Sequence, residues 1–464
     1  MKKLALLATT ILFAHTVSGQ NFFSKGLEAD EEAYGEIKKK PTLVTRSFSS
    51  LPSSYSLLKY CPDPPFQGQF GTCTAWSSAF TGRTIAEAIA NGWDDPEQVN
   101  KEAFSPWFVY TNIRKRLDDG CMSGSSLEMA IQLMKNTGSV KMSTFSSECV
   151  QEIPQEVIDA AAKYKIDDYF TLFEYMSTDY PKKINAAKKA LANNRPVVFG
   201  MSCPDSFAQP CVGKDVWDGV DDGNAGGHAM CLVAYDDEKY GGAFLVQNSW
   251  GKTWGVGGRI WIRYDDWAKY TKSAFEMYVK PKEVAKRNEL QGEFYIQLAT
   301  GEKPAATFDG SGKIPHYDIH GEYISGTRYR IYISNNEPAY VYMIGSDLYN
   351  NVGRLFPPDE TVSPAMLYKS NEIAIPDETW YVEMDETVGT DYLCVLYCAE
   401  SIDIDSIVEK IASSTEGSFY ERLKNALGDQ LVPADDVRFS DGKIEFSAKT
   451  NGNVLPIVGE ITHN

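Results

Sequence analysis

Positive charge, long apolar runs and histidine are all scarce in this sequence. Lysine and arginine number 45 against 63 aspartates and glutamates, which gives a formal net charge of −18. Such an acidic chain repels nucleic acid, so we expect no nucleic-acid partner. Beyond residue 17 no stretch approaches the length of a membrane span, so we expect no integral membrane segment once the N-terminus is removed.

The N-terminus has the pattern of a secretory signal. Lys2 and Lys3 precede an apolar run over residues 4–17, and the small residues 17–19 follow it before Gln20. This pattern predicts a signal peptide over residues 1–19. We therefore expect a bacterial protein that is exported, either secreted or periplasmic.

Changes in hydrophobic period divide the rest of the chain. Helical spacing dominates from residue 51 to Gly138 and recurs after Pro154 and Pro181, whereas short alternating runs between Val197 and Lys280 predict antiparallel strands. This order predicts an α+β fold with a cleft at the seam. The predicted segments are a flexible leader or short propeptide (20–50), a first domain (51–281), a linker (282–290), a β-rich domain with two closing helices (291–430) and a polar C-terminal tail (431–464).

The β-rich domain is predicted from six short runs of alternating or apolar residues. They favour an all-β, sandwich-like architecture. The sequence contains no catalytic pattern there. We interpret this domain either as a packing module or as an interaction module that binds another protein or an external surface.

A glycine-rich loop over residues 67–76 leads into a helix with Cys73 at the junction. The helix pattern continues to Gly92, a typical C-terminal cap. Free N–H groups at a helix start favour thiolate over thiol, which is the form a sulfur nucleophile needs. A buried structural cysteine is the more common alternative, so the interpretation depends on partners elsewhere in the chain.

Histidine supplies the first partner, because so few are present. The chain has five, and His228 is the only one between residues 20 and 285. An imidazole can take the proton of a thiol and later give it to a leaving amine. If Cys73 has a base in this domain, that base is His228.

The remaining groups follow from what the reaction needs. Asn248 stands after a predicted strand and can orient the imidazole through its amide oxygen, while Trp250 can keep water off that contact. Gln67 and the backbone N–H of Cys73 can supply the two donors for a tetrahedral oxyanion. We therefore expect Cys73, His228, Asn248 and Gln67 to be the catalytic residues.

At this point the sequence resembles the papain-like cysteine peptidases. The resemblance rests on Gln67 with Cys73 six residues later, His228 in GGHAM, Asn248 in QNSWGKTWG and the GGRIWI stretch that follows. It implies a two-lobed fold over residues 51–281, with a helical left lobe and an antiparallel β right lobe. It also implies hydrolysis of protein or peptide substrates through a thioester, without a cofactor. Phe70 and Thr74 depart from the family pattern, which has a cysteine and an aromatic residue at these positions.

The resemblance also suggests where substrate binds. The segment 120–126 is similar to the one whose backbone pairs with extended substrate in this family, with Gly124 as the contact. Ser125 and Ser126 indicate a roomy or polar wall, and Trp250 lies nearby. The alternative is an ordinary turn before the Leu127 helix.

Cysteines and histidines outside this site lead to further expectations. Nine cysteines in an exported chain leave an even number once Cys73 is set aside, and Cys203 with Cys211 forms the most plausible local disulfide. Cys394 and Cys398 lie too far apart on one strand to bridge and are expected in a core. His316 and His320 lack a third and fourth ligand nearby, so no metal site is expected.

Exported endopeptidase activity is the function that this sequence favours. One alternative is an aminopeptidase of the bleomycin-hydrolase type, which the signal peptide and the second domain disfavour. The other is a catalytically silent peptidase fold kept for binding, which the presence of all four catalytic groups disfavours.

Overall fold

The structure is a computed structural model that describes residues 23–118, 120–223, 225–281, 287–311, 314–349, 351–414 and 417–464. The predicted signal peptide and residues 282–286 of the predicted linker lie outside the described residues. Among the residues described, no helix is both long and apolar enough to cross a membrane.

Helices dominate the first part of the chain, and side-chain caps fix several of their starts. Ser105 and Ser126 accept hydrogen bonds from the backbone N–H groups of Phe108 and Met129. The helices are α1 (Glu31–Glu36), α2 (Cys73–Ala75), α3 (Thr84–Asn91), α4 (Pro96–Lys101), α5 (Pro106–Ile113), α6 (Leu127–Asn136), α7 (Gln155–Ala161), α8 (Tyr180–Ala192) and α9 (Tyr264–Tyr270).

The helix predicted after Cys73 runs to Asn91, but its pitch changes on the way. The chain forms π-helical turns over Trp76–Arg83 between α2 and α3. Gly92 ends the helix with φ of 67°, as predicted. This long helix carries Cys73 at its first position.

Gly82 lies within the π-helical turns and packs directly on the neighbouring sheet. A Cβ at this position would lie 2.6 Å from Cγ2 of Val198 and 2.8 Å from Cε of Met277. The absence of a side chain therefore allows the helix to approach the sheet closely.

The predicted strands after residue 196 form one antiparallel sheet with two strands from earlier in the chain. Its order is β2-β7-β3-β4-β5-β6, and β1 pairs with β4. One apolar core joins this sheet to the helices. The strands are β1 (Ser54–Ser56), β2 (Asp168–Thr171), β3 (Val197–Pro204), β4 (Ala225–Asp236), β5 (Ala243–Gln247), β6 (Arg259–Arg263) and β7 (Thr271–Tyr278).

The rest of the chain folds as two sheets packed face to face. One has the order β13-β12-β17-β20-β10-β9 and the other β15-β11-β8-β19-β18. A core lies between them, and two helices cover the outer face of the first sheet. The elements are β8 (Asn288–Leu298), β9 (Ala306–Asp309), β10 (His316–Tyr323), β11 (Arg328–Asn335), β12 (Ala339–Ser346), β13 (Val352–Phe356), β14 (Ala365–Met366), β15 (Asn371–Ile375), β16 (Val382–Glu383), β17 (Gly389–Cys398), α10 (Ile404–Ser413), α11 (Phe419–Leu427), β18 (Val437–Phe439), β19 (Glu445–Thr450) and β20 (Val454–His463).

The prediction of a polar tail over residues 431–464 is wrong. Strand β20 lies in the middle of a sheet, antiparallel to β17 on one side and parallel to β10 on the other. Val458 faces the covering helices and Ile457 faces the second sheet, so both faces of the strand are buried. Pairing with strands so distant in sequence leaves no local signal. The β-rich domain therefore extends to His463.

The predicted disulfide is also wrong. The structure joins Cys121 to Cys149, with Cα atoms 5.8 Å apart, and leaves Cys203 and Cys211 as buried free thiols. Strand β3 continues through Cys203, and two short 3-10 helices follow it. The thiol of Cys211 donates instead to the carbonyl oxygen of Ser206 at 3.3 Å.

Candidate active site

Cys73 lies where the glycine-rich loop enters the long helix, and it is fully buried. The N–H of Gly71 donates to the carbonyl oxygen of Cys121 at 2.9 Å. A Cβ at Gly71 would lie 2.7 Å from the carbonyl oxygen of Met122. The glycine thus lets the loop pack against the disulfide-bonded segment, and this contact fixes the start of the helix.

His228 lies on β4, Asn248 directly follows the neighbouring strand β5, and the two side chains are hydrogen-bonded to each other. Nε2 of His228 is 2.8 Å from Oδ1 of Asn248. An amide oxygen only accepts, so the imidazole proton lies on Nε2 and Nδ1 is left as an acceptor. The backbone of the next residue, Ala229, lies close enough to the Cys73 thiol to oppose the rise in its pKa that burial causes. The strand that carries His228 therefore brings it beside Cys73.

Trp250 shields this pair from water. Its ring stacks on the imidazole of His228, with centroids 4.3 Å apart and planes inclined by 18°. Phe207 and Trp254 pack against the other parts of the indole. The hydrogen bond between His228 and Asn248 is therefore enclosed by aromatic rings, which strengthens it.

The side chain of Gln67 is held in one orientation. The hydroxyl of Ser249 donates to its Oε1 at 2.6 Å, and the N–H of Gln67 donates to the carbonyl oxygen of Ser249 at 2.8 Å. Its Nε2 donates to the carbonyl oxygens of Ser24 at 3.1 Å and Phe70 at 2.8 Å. The amide nitrogen therefore bonds both its own loop, at Phe70, and the peptide chain described next, at Ser24.

Residues 23–28, here called the cleft segment, lie across Cys73. The carbonyl oxygen of Gly26 accepts from the N–H of Ser125 at 2.9 Å, and the N–H of Glu28 donates to the carbonyl oxygen of Ser125 at 3.0 Å. The carbonyl oxygen of Ser24 also accepts from Nε1 of Trp250 at 2.9 Å. Part of the predicted leader thus pairs, as main chain, with the segment predicted to bind substrate.

Leu27 inserts its side chain into the wall of the cleft. Its N–H donates to the carbonyl oxygen of Gly227 at 3.1 Å. A Cβ at Gly200 would lie 2.5 Å from Cδ2 of Leu27 and 3.6 Å from Cδ1 of Leu127. The absence of a side chain at Gly200 makes room for an aliphatic group.

Burial under the cleft segment keeps both reactive groups neutral. Desolvation raises the pKa of the Cys73 thiol to about 11, against hydrogen bonds from the backbone of Ala229 and Gly26. Desolvation lowers the pKa of His228 to about 3; the Asn248 hydrogen bond opposes this, and the positive charge of Lys25 adds to it. Near neutral pH the site therefore holds a thiol and a neutral imidazole.

A buried carboxyl group, Glu128, lies beneath the leader in the first turn of α6. Desolvation, with a contribution from the negative charge of Asp30, raises its pKa to about 7. Burial raises the pKa of Tyr34 and Tyr175, and the charge of Glu128 adds to the rise for both phenols. Two of these neighbours, Asp30 and Tyr34, belong to the leader, so docking of the leader and ionisation of Glu128 oppose each other.

Leader docking is expected to weaken as the pH rises. Below the ordinary carboxyl pKa of 4.5, Glu128 is protonated in both states and does not affect docking. Between pH 4.5 and about 7 the open state loses a proton that the docked state keeps, and above about 7 the docked state buries a charged carboxylate, so docking is weaker in both ranges. We expect an added protease to cut the leader about tenfold faster at pH 8 than at pH 5, relative to a Glu128→Gln chain.

The measurement uses a Cys73→Ala background to prevent self-cleavage. The ratio between chains with and without Glu128→Gln at each pH cancels the pH dependence of the added protease. A ratio that stays constant from pH 5 to pH 8 would contradict the expectation.

Comparison with known proteins agrees with this geometry. Residues 110–278 match the family model described as papain family cysteine protease. This part of the chain is therefore papain-like, and the domain that contains it is called the papain-family domain. The match includes His228 and Asn248 but begins after Cys73 and Gln67. Cys73 lies in the same apolar core as the matched region, and Gln67 is hydrogen-bonded to Ser249 within that region.

Curated relatives are distant and longer than the matched region. An uncharacterized peptidase C1-like protein of Acanthamoeba polyphaga mimivirus is 27% identical over 209 residues, which is 43% of this chain and 63% of that protein. Procathepsin L of Rattus norvegicus is 26% identical over 225 residues, 43% of this chain and 56% of that protein. The chain thus spans roughly three fifths of the curated relatives it matches.

Among solved structures, similar chains include xylellain, a cysteine protease from Xylella fastidiosa. It is 21% identical, with 56% of this chain and 96% of that chain covered and a TM-score of 0.43. The bromelain protease of Ananas comosus is 17% identical, with 50% and 100% covered and a TM-score of 0.39.

The structure also shows what sequence reasoning missed in the papain-family domain. The main-chain bonds expected at Gly124 are made by Ser125, and Ser126 caps α6. Thr74 donates to the carbonyl oxygen of Ser125 at 3.0 Å, which links the helix of Cys73 to the peptide-binding edge. The capping pattern before Leu127 could have identified Ser126, but the contact of Thr74 crosses the fold and has no local signal.

His316 has more neighbours than the sequence indicated. Ligand-type atoms of His316, Asp318 and Glu460 lie within 4.8 Å of one another. Glu460 comes from the strand predicted as a tail, so the sequence could not place it there. Nε2 of His316 lies 3.7 Å from Oε1 of Glu460 and 3.8 Å from Oδ2 of Asp309. When His316 is protonated, these contacts are ion pairs between strands.

Proposed function

We propose that the protein is an exported cysteine endopeptidase made as a precursor whose leader fills its own cleft. The observation that carries this proposal is the peptide main chain of the cleft segment, held across Cys73 by Gln67, Trp250 and Ser125. A site that already binds an extended peptide beside a paired imidazole is suited to peptide hydrolysis.

The chemistry follows from the positions of four residues. Nδ1 of His228 takes the proton of Cys73, and the sulfur attacks the peptide carbonyl carbon. The oxyanion is stabilised by Nε2 of Gln67 and the N–H of Cys73. His228 gives its proton to the leaving amine as the C–N bond breaks. Water, deprotonated by His228, then hydrolyses the thioester and restores the thiol, while Asn248 holds the imidazole in place.

The path of the cleft segment favours an endopeptidase over an aminopeptidase. Phe23 lies against Trp250 on one side of Cys73, with ring centroids 5.3 Å apart, and Leu27 lies at Ser125 on the other side. A peptide chain can therefore extend along the cleft on both sides of Cys73. An aminopeptidase needs one end closed to hold the substrate's free amine.

Export is supported by the predicted signal peptide and by the chemistry of the cysteines. The bond between Cys121 and Cys149 lies next to the loop that positions Cys73. Disulfides persist in oxidising compartments outside the cytosol. We therefore place the protein's activity on protein or peptide substrates outside the cytoplasm.

Cys73→Ala is expected to abolish cleavage of casein and of N-blocked, internally quenched peptides, because no other group in the proposed mechanism can attack the carbonyl. The assay uses chains from which the leader has been removed by limited proteolysis. Cys231→Ala is the matched control, since Cys231 is equally buried but lies within β4. Unchanged cleavage by Cys73→Ala would disprove the mechanism, and cleavage of free but not N-blocked peptides would favour an aminopeptidase.

A further inference from the structure

We propose that the β-rich domain binds residues 38–46 of the leader and thereby keeps the cleft segment in the cleft. This inference rests on the proposed function for its biological meaning, but its test does not require turnover. Residues 38–46 are called the anchor segment below.

The anchor segment begins as a strand shared by the two domains. On one edge, the N–H of Lys40 donates to the carbonyl oxygen of Thr171 in β2 at 3.3 Å, and the N–H of Thr171 donates to the carbonyl oxygen of Lys38 at 3.2 Å. On the other edge, the N–H of Lys39 donates to the carbonyl oxygen of Thr361, and its carbonyl oxygen accepts from the N–H of Ser363, both at 2.8 Å. Because β2 is the edge of its sheet, residues 38–40 cover an open edge and join it to the β-rich domain.

Side chains from three parts of the chain meet at one buried carboxylate. Glu276 of β7 is fully buried and accepts from Nζ of Lys40 at 2.9 Å. The hydroxyl of Tyr368, from the β-rich domain, also donates to Glu276. Nζ of Lys40 lies 3.3 Å from the centre of the Tyr368 ring. The lysine of the leader therefore has partners in both domains, and the loss of either leaves a buried charge with fewer contacts.

The second half of the anchor segment is bound by the β-rich domain. The N–H of Val44 donates to the carbonyl oxygen of Glu372 at 2.9 Å. The N–H and hydroxyl of Thr45 both donate to the carboxylate of Glu378 at 2.8 Å. The guanidinium of Arg46 is bonded to the carboxylate of Glu372. These acidic side chains can be changed without altering the papain-family domain.

Binding of the anchor segment shortens the stretch of chain that connects the cleft segment to the rest of the protein. With the anchor segment held, only residues 29–37, which include α1, connect it to the cleft segment. If the anchor segment and α1 are both released, the free stretch extends to Ser54, where β1 begins. Effective concentration falls roughly as the −3/2 power of tether length, so release alone opens the cleft about fourfold, before any loss of contacts.

The test measures how fast iodoacetamide labels Cys73 in the intact full-length chain, by peptide mapping. We expect the double variant Glu372→Ala and Glu378→Ala to raise the labelling rate at least about fourfold while the leader remains attached. The matched control, Glu383→Ala and Glu386→Ala, removes two exposed acids of the same domain and should leave the rate unchanged.

A labelling rate that is unchanged in the double variant, while a change in the cleft segment itself raises it, would overturn the proposal. If the double variant melts early, Tyr368→Phe replaces it, because it removes one hydroxyl and keeps the ring; the same fourfold rise supports the proposal and an unchanged rate overturns it. Faster labelling of the double variant without any peptidase activity would support the binding of the leader by the β-rich domain and would reject the proposed function.

Discussion

Leu27→Asp is expected to raise peptidase turnover of the full-length chain about tenfold or more, because a carboxylate at this position loses its hydration beside the aliphatic wall formed at Gly200 and Leu127. The change acts on the blocking peptide and leaves every proposed catalytic group in place. Turnover is measured with a quenched peptide on chains whose leader is shown by mass spectrometry to be uncut.

Leu117→Asp provides the matched control, since Leu117 is 91% exposed and the same substitution there buries nothing. The initial rate is the relevant quantity, because an opened precursor can also trim its neighbours. Equal initial rates for Leu27→Asp and the unaltered chain would show that the cleft segment does not limit access to Cys73.

His228→Ala is expected to lower kcat by about 10² to 10⁴-fold, since the substitution removes the group that takes and returns the proton. The experiment is carried out in the Leu27→Asp background so that the leader does not mask the loss. His320→Ala is the control, because His320 lies in the β-rich domain and its ring contacts the Thr307 hydroxyl at 2.7 Å.

A second measurement separates catalysis from simple damage to the fold. Iodoacetamide labelling of Cys73 near neutral pH should slow in His228→Ala, because the thiol loses its nearby base. The thermal unfolding midpoint should change far less than kcat does. If turnover persists in His228→Ala and is lost in His320→Ala, His228 is not the group that transfers the proton.

The residues of the proposed site can be singled out from the sequence because they lie in short local patterns. The loop of Gln67 and Cys73 depends on its own glycines, and the turn after β5 places Asn248 and Trp250 together. The predictions that failed depend on pairing between distant parts of the chain. Strand β20 and the disulfide of Cys121 are fixed by partners that no nearby residue reveals.

The leader shows the same limit in a different way. Residues 20–50 are polar enough to predict a flexible leader or short propeptide, yet residues 23–28 and 38–46 are bound by main-chain hydrogen bonds. Main-chain pairing needs no particular side chains, so composition carries no trace of it. Leu27, Tyr34, Ile37 and Val44, which are partly or wholly buried apolar residues in a charged segment, are local indications of docking.

The close packing at Gly82 holds the helix of Cys73 against the sheet that carries His228. The long helix that begins at Cys73 rests on β3 and β7 at this glycine, and β3 is hydrogen-bonded to the strand that carries His228. A side chain at Gly82 would push this helix away from the sheet and so move Cys73 away from His228. A residue without a side chain, nine positions along the helix from Cys73, thus helps to hold the two parts of the proposed site together.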